Sequence, residues 1–176
     1  LNTILSRCLR YRIPSNPVLR KSEIWDSWKK SYWNWMSSLV EGYDKNKLCD
    51  LFFGFYGMVL KLQKTIENYR ETILEEEKED IIKLLSDEEK TAIEIGIERS
   101  VREQLFREIA DLTSQFVKES ASLNNGHYMI HALNSAIEAL SKSLNLLQLN
   151  FNADSAIELY FLKSLRIWST ANKESA

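Results

Sequence analysis

Apolar side chains return every three or four residues through most of the chain, the period of helices that turn one face to a core. The spacing predicts five helical segments after residue 21. The first, SEIWDSWKKSYWNWMSSLVEG, sets Ile24, Trp28, Trp35 and Leu39 on one side and reaches Gly42, a residue suited to the turn past a helix C-terminus. The second starts near Asp44 and runs through LCDLFFGFYGMVLKLQKTIENYRETILEEEKEDIIKLL. Its front half is apolar on most faces, which predicts burial all round, and its back half is charged and amphipathic. The third begins at Ser86, where SDEE offers a capping box with Glu89, and continues to about Ser120. Its stripe is Ile93, Ile97, Val101, Leu105, Ile109, Leu112 and Phe116. After the break at Asn124, Asn125 and Gly126, HYMIHALNSAIEALSKSLNLLQ repeats the pattern with Ile130, Leu133, Ile137, Leu140, Leu144 and Leu147. The last helix starts at Asp154 or Ser155 with a second box, SAIE, and carries Ile157, Tyr160, Phe161, Leu165 and Trp168.

The first twenty-one residues break this pattern. NTILSRCLRYRI mixes β-branched and aromatic residues with arginines, and reads as a short strand and turn belonging to a larger sheet. Pro14 and Pro17, the only two prolines, follow it and disfavour helix in the residues before them. Residues 1–14, a linker at 15–21 and a helical body at 22–176 are the units this implies. The fold class is all-α, a five-helix bundle preceded by a short non-helical leader. A first residue that is Leu rather than Met suggests a piece of a longer protein.

Composition narrows the function. With 44% apolar and 27% charged residues in 176, the chain has material for one cored domain. Its net charge of −2 argues against nucleic-acid binding by the domain as a whole. Positive charge is local: Arg7, Arg10, Arg12 and Arg20 lie in the first twenty residues with no acid among them. Cys8 and Cys49 are far apart and form no CxxC, so neither a disulfide framework nor a zinc site is expected, as suits a reducing cytoplasm. The longest apolar run, LFFGFYGMVL, is well short of the ~20 residues a membrane span requires, so no membrane association is expected.

Catalytic signatures are missing. No phosphate-binding glycine loop, HExxH or GxSxG occurs. His127 and His131 stand at i and i+4, a spacing that can hold a metal, but no third ligand accompanies them, so neither metal nor cofactor is expected. The run EEEKED from Glu75 to Asp80 reads as a solvated helix face. Trp25, Trp28, Trp33 and Trp35 circle a helix without partnering arginines, which favours core or subunit-interface packing over a base-stacking platform. Trp28, Trp35, Phe161 and Trp168 are therefore interface candidates.

The leader carries one specific signal. In TILSRCLRYRIP, the residues Thr3, Ile4, Ser6, Arg7, Cys8 and Tyr11 resemble the Ser-Arg-Cys motif of the AAA+ clamp-loader subunits of bacterial DNA polymerase III, with Asn2 where that family usually has proline. The far end resembles the same family: LNLLQLNFNADSAIELYFLKSLRI is similar to the final helix pair of its collar domain at Asn150, Asn152, Glu158, Leu162 and Leu165.

The resemblance implies that residues 1–14 end an AAA+ module and that 22–176 form the helical collar that holds the loader ring together. Arg7 would be an arginine finger acting in trans on the ATP of a neighbouring subunit, with Thr3, Ser6 and Cys8 shaping its turn. A planar, permanently charged fork suits phosphate oxygens that gain charge during transfer. It also implies that the chain is no enzyme by itself, that its partners are the gamma/tau and delta subunits, that it meets the sliding clamp only indirectly, and that its collar makes no direct DNA contact. The family's three-helix lid has little room here, since only residues 15–21 precede the first strong helix. Either residues 22–48, with the Trp-rich helix, are a reduced lid, or the Trp-rich and LFFGFYGM segments both derive from the lid and the collar begins later.

Overall fold

The computed structural model describes residues 22–41, 48–76, 86–121, 126–148 and 153–173. They form five helices: α1 Glu23–Val40, α2 Leu48–Glu76, α3 Asp87–Ala121, α4 Gly126–Gln148 and α5 Ala153–Lys173. No strand occurs among the described residues, and the leader strand expected before Pro14 lies outside them. Each helix packs on the next, and α5 returns against α1 and α2, so the first and last helices share one core.

The helix starts follow the local chemistry. Ser22 caps α1 from an extended backbone, its side chain accepting from the Trp25 N–H. At α3 the capping box forms as its sequence predicts: the Glu89 N–H donates to Ser86 Oγ at 3.3 Å, and the Ser86 N–H donates to Glu89 Oε2 at 2.8 Å. The Ser86 N–H and the Ser86 hydroxyl, which also donates to Glu89 Oε2 at 2.8 Å, favour the ionised carboxyl, so Glu89 titrates below its ordinary value. The second box differs. Because α5 begins at Ala153, Ser155 sits in its first turn and not at its N-cap.

The core is one contiguous cluster drawn from all five helices. On α1 the buried face is Trp25, Trp28, Tyr32, Trp35, Met36 and Leu39, while Ile24 is exposed. The tryptophans rotate the buried arc toward themselves because indole rings remove the most apolar area from water. Five of the seven predicted α3 positions are buried, with Ile93 and Leu112 at the margin. On α4 Leu140 is buried as predicted, but the rest of the core row is shifted toward the alanines. Ile130 is exposed, and the core row is Met129, Ala132, Ala136, Ala139, Leu140 and Ser143. Alanines let α3 and α5 approach α4 closely, and the leucines at 133, 144 and 147 close the edge.

Candidate association surface

The four aromatics expected at an interface lie inside this bundle. Trp28, Trp35, Phe161 and Trp168 are all buried. Phe161 is their hub, meeting Trp28 edge-on at 6.3 Å and Trp35 edge-on at 5.6 Å, while Trp168 meets Phe116 at 5.9 Å. Both α1 indoles also find hydrogen-bond acceptors, Trp28 Nε1 donating to the Met58 carbonyl at 2.9 Å and Trp35 Nε1 to the Leu51 carbonyl at 3.1 Å. These side chains hold the chain's own helices together. Any outer contact must use other residues.

Below them is a buried polar chain. Tyr32 Oη lies 2.6 Å from Tyr160 Oη and 3.0 Å from Thr113 Oγ1, and Thr113 donates its proton to the Ile109 carbonyl at 2.7 Å. A hydroxyl has one proton to give. Since Thr113 has spent its own, Tyr32 donates to Thr113, and Tyr160 donates to Tyr32. Burial pushes both phenols above the ordinary tyrosine value, and Tyr160 pushes Tyr32 further by Coulomb repulsion. Such a chain fixes three helices in register but performs no chemistry at neutral pH.

Thr3, Ser6, Arg7 and Cys8, and with them the proposed finger and its turn, lie outside the described residues. His131 is exposed, and no group of three or more metal-ligating side chains occurs among the described residues. A cleft of about 240 Å³ between α2 and α3 is lined by Gln63, Glu67, Arg70, Glu98 and Arg102. Arg102 pairs with Glu98, and Arg70 stands 3.8 Å from Glu98 and 3.9 Å from Glu67. Its two cations face two anions, which is an ion-pair cluster and not a charged pocket.

The feature that sequence reading placed wrongly is the front of α2. Four large side chains expected to be buried reach solvent: Phe52 is 39% exposed, Phe53 73%, Tyr56 39% and Leu60 65%. Cys49 is exposed beside them, and nothing lies within 4 Å of where a side chain on Gly57 would begin. Phe52 and Tyr56 lean on each other at 5.3 Å and on Phe55 at 4.9 and 4.3 Å, forming a fixed apolar shelf. Phe53 and Leu60 project above it. Cys49, Phe53, Tyr56 and Leu60 follow one another at spacings of four, three and four, the seam of a helix that packs on another helix. No charge interrupts residues 51–60, while Asp50 bounds the seam on one side and Lys61 and Lys64 on the other, all three exposed. The signal was present in the sequence. A helix apolar on every side needs partners on every side, and a five-helix bundle gives α2 neighbours on only part of its circumference.

No family model, curated protein or solved structure matches the chain. No helix among the described residues is long and apolar enough to cross a membrane. What the fold defines is an all-α bundle with a closed aromatic core and one apolar seam left on its outside.

Proposed function

We propose that the chain is an accessory subunit of a bacterial DNA polymerase III clamp loader, of the delta-prime type. The five-helix bundle is then its collar, and Arg7 its arginine finger in trans. The observation that carries this reading is the conjunction of two features: TILSRCLRY at residues 3–11, and a body of five packed helices after it. A finger and a scaffold are what a non-catalytic ring subunit requires. The finger would work on ATP held by a neighbouring gamma/tau subunit, stabilising the charge that builds on the phosphoryl oxygens. The collar would work by burial of helix faces against neighbouring subunits. The rival within the family is a gamma/tau-type ATPase whose own nucleotide site lies outside this chain.

The deciding experiment is reconstitution of the loader with an Arg7→Ala chain. Removal of a trans-acting finger should lower DNA-stimulated ATP hydrolysis by about 10³-fold or more while the complex still assembles. Unchanged hydrolysis would remove the finger assignment. A second reading, a self-contained helical association module, is favoured by the exposed seam alone. It predicts that deleting residues 1–14 leaves every binding partner in place.

A further inference from the structure

We infer that the α2 seam pairs with the same seam of a second copy of this chain, the two helices running antiparallel. The inference rests on the seam and its flanking charges and does not depend on the clamp-loader reading. With large aromatic side chains carrying about 150–250 Å² each, the exposures of Phe52, Phe53, Tyr56 and Leu60 leave on the order of 400 Å² of contiguous apolar surface. That is as large as the biggest apolar patch on an ordinary monomer. It is about half of the ~800 Å² per partner that a standard interface covers, and the exposed polar residues around the seam can supply the rest.

The sequence of the seam is nearly its own complement when reversed. Laid antiparallel about its midpoint, Phe53 faces Tyr56 of the second copy and Cys49 faces Leu60. Gly57, with open space where a side chain would begin, then sits near the crossing, where a small residue lets two backbones come close. In the same register Asp50 falls within two residues of the opposing Lys61, once at each end of the pair. A parallel arrangement would instead set Asp50 against Asp50 and Lys61 against Lys61. Charge therefore selects the antiparallel register, as flanking charges do in helix pairs generally. A closed two-fold contact also covers both seams fully, so no further copy can add.

Sedimentation equilibrium on the chain from about 1 to 500 µM reads the pairing directly. Half-association is expected on the order of 10–100 µM, given the modest area. Phe53→Glu should weaken it by more than ~100-fold with unchanged helical circular dichroism, since the ring contributes to the surface and not to the core. Leu60→Lys should do the same. Asp50→Lys should weaken pairing about 10-fold, and adding Lys61→Asp should restore it, because the swap rebuilds both ion pairs. Orientation is tested by oxidation in a Cys8→Ser background. Antiparallel packing keeps Cys49 roughly 16 Å from its counterpart, eleven residues along the helix, so no disulfide forms there, whereas Leu60→Cys places a thiol opposite Cys49 of the second copy that cross-links to it. A monomer throughout the concentration range would overturn the inference and leave the seam to a different protein. A dimer indifferent to Phe53→Glu, or one that oxidises through Cys49 to Cys49, would overturn it as well.

Discussion

The Tyr160–Tyr32–Thr113 chain makes a prediction whose sign is unusual. Replacing Tyr32 by Phe removes the middle link, which takes an acceptor from Tyr160 and a donor from Thr113. Thr113 keeps its bond to the Ile109 carbonyl, so its loss is slight. Tyr160 stays fully buried and must turn its proton from Tyr32 to the neighbouring Ser164 or Thr113 hydroxyl, at a cost of about 1–3 kcal/mol. Replacing Tyr160 by Phe removes only the terminal donor, and Tyr32 still donates to Thr113, so that variant should cost about 0.5–1.5 kcal/mol. In the double variant the displaced hydroxyl is gone. It should be more stable than Tyr32→Phe alone by about 1 kcal/mol, although it carries one substitution more. Urea denaturation at neutral pH reads all three midpoints, provided the slopes stay equal. Additive losses, or a Tyr160→Phe chain less stable than Tyr32→Phe, would refute the donor order derived from the geometry.

Four further outcomes follow from other contacts. Because burial raises both phenols above the ordinary value of 10.0, the unfolded chain loses these protons first as pH rises. Stability should be unaffected below about pH 9 and fall above pH 10, with a shallower fall in the double Phe variant, as measured by urea midpoints across that range. Gly96 lies inside α3 with open space where a side chain would begin, so Gly96→Ala should stabilise by about 0.5–1 kcal/mol through helix propensity, raising the thermal midpoint. Trp168→Ala empties the largest fully buried side-chain site on α5 and should cost about 3–5 kcal/mol by the same urea assay. Ser86→Ala removes the side-chain half of the α3 capping box while the residue 86 N–H still donates to Glu89, and hydrogen exchange should show faster exchange confined to the first turn of that helix.

The helices were legible because each carries a long 3.6-residue pattern, and the α3 start because a capping box is a local event between residues three apart. The α4 error has a physical source. Periodicity ranks residues by apolar size, so it chose Ile130 over Ala132 and Ala136, but a helix wedged between two others is set by how near it can come, and alanine wins that contest. The α1 error is similar, since Ile24 and Trp25 are both apolar and only the competition for one core decides between them. The front of α2 could not be resolved from its own residues. Its pattern reports that every face is apolar, and which face is covered depends on neighbours far along the chain. The same holds for the interface aromatics, whose chemistry fits a subunit contact and a core equally well.

The two indole hydrogen bonds between α1 and α2 have a consequence for how the pair tolerates change. Trp28 meets Met58 and Trp35 meets Leu51. Both steps are seven residues, taken in opposite directions, so the bonds act as two stops on an antiparallel slide. Shifting α1 by a single position would disengage both together and turn the indole N–H groups into buried donors without acceptors. Alignment of α1 on α2 is thus stored in these contacts between the two helices. Adding or removing a residue in the segment between Glu41 and Leu48 should leave the Trp28–Met58 and Trp35–Leu51 partners unchanged, and natural variation in length is best accommodated there.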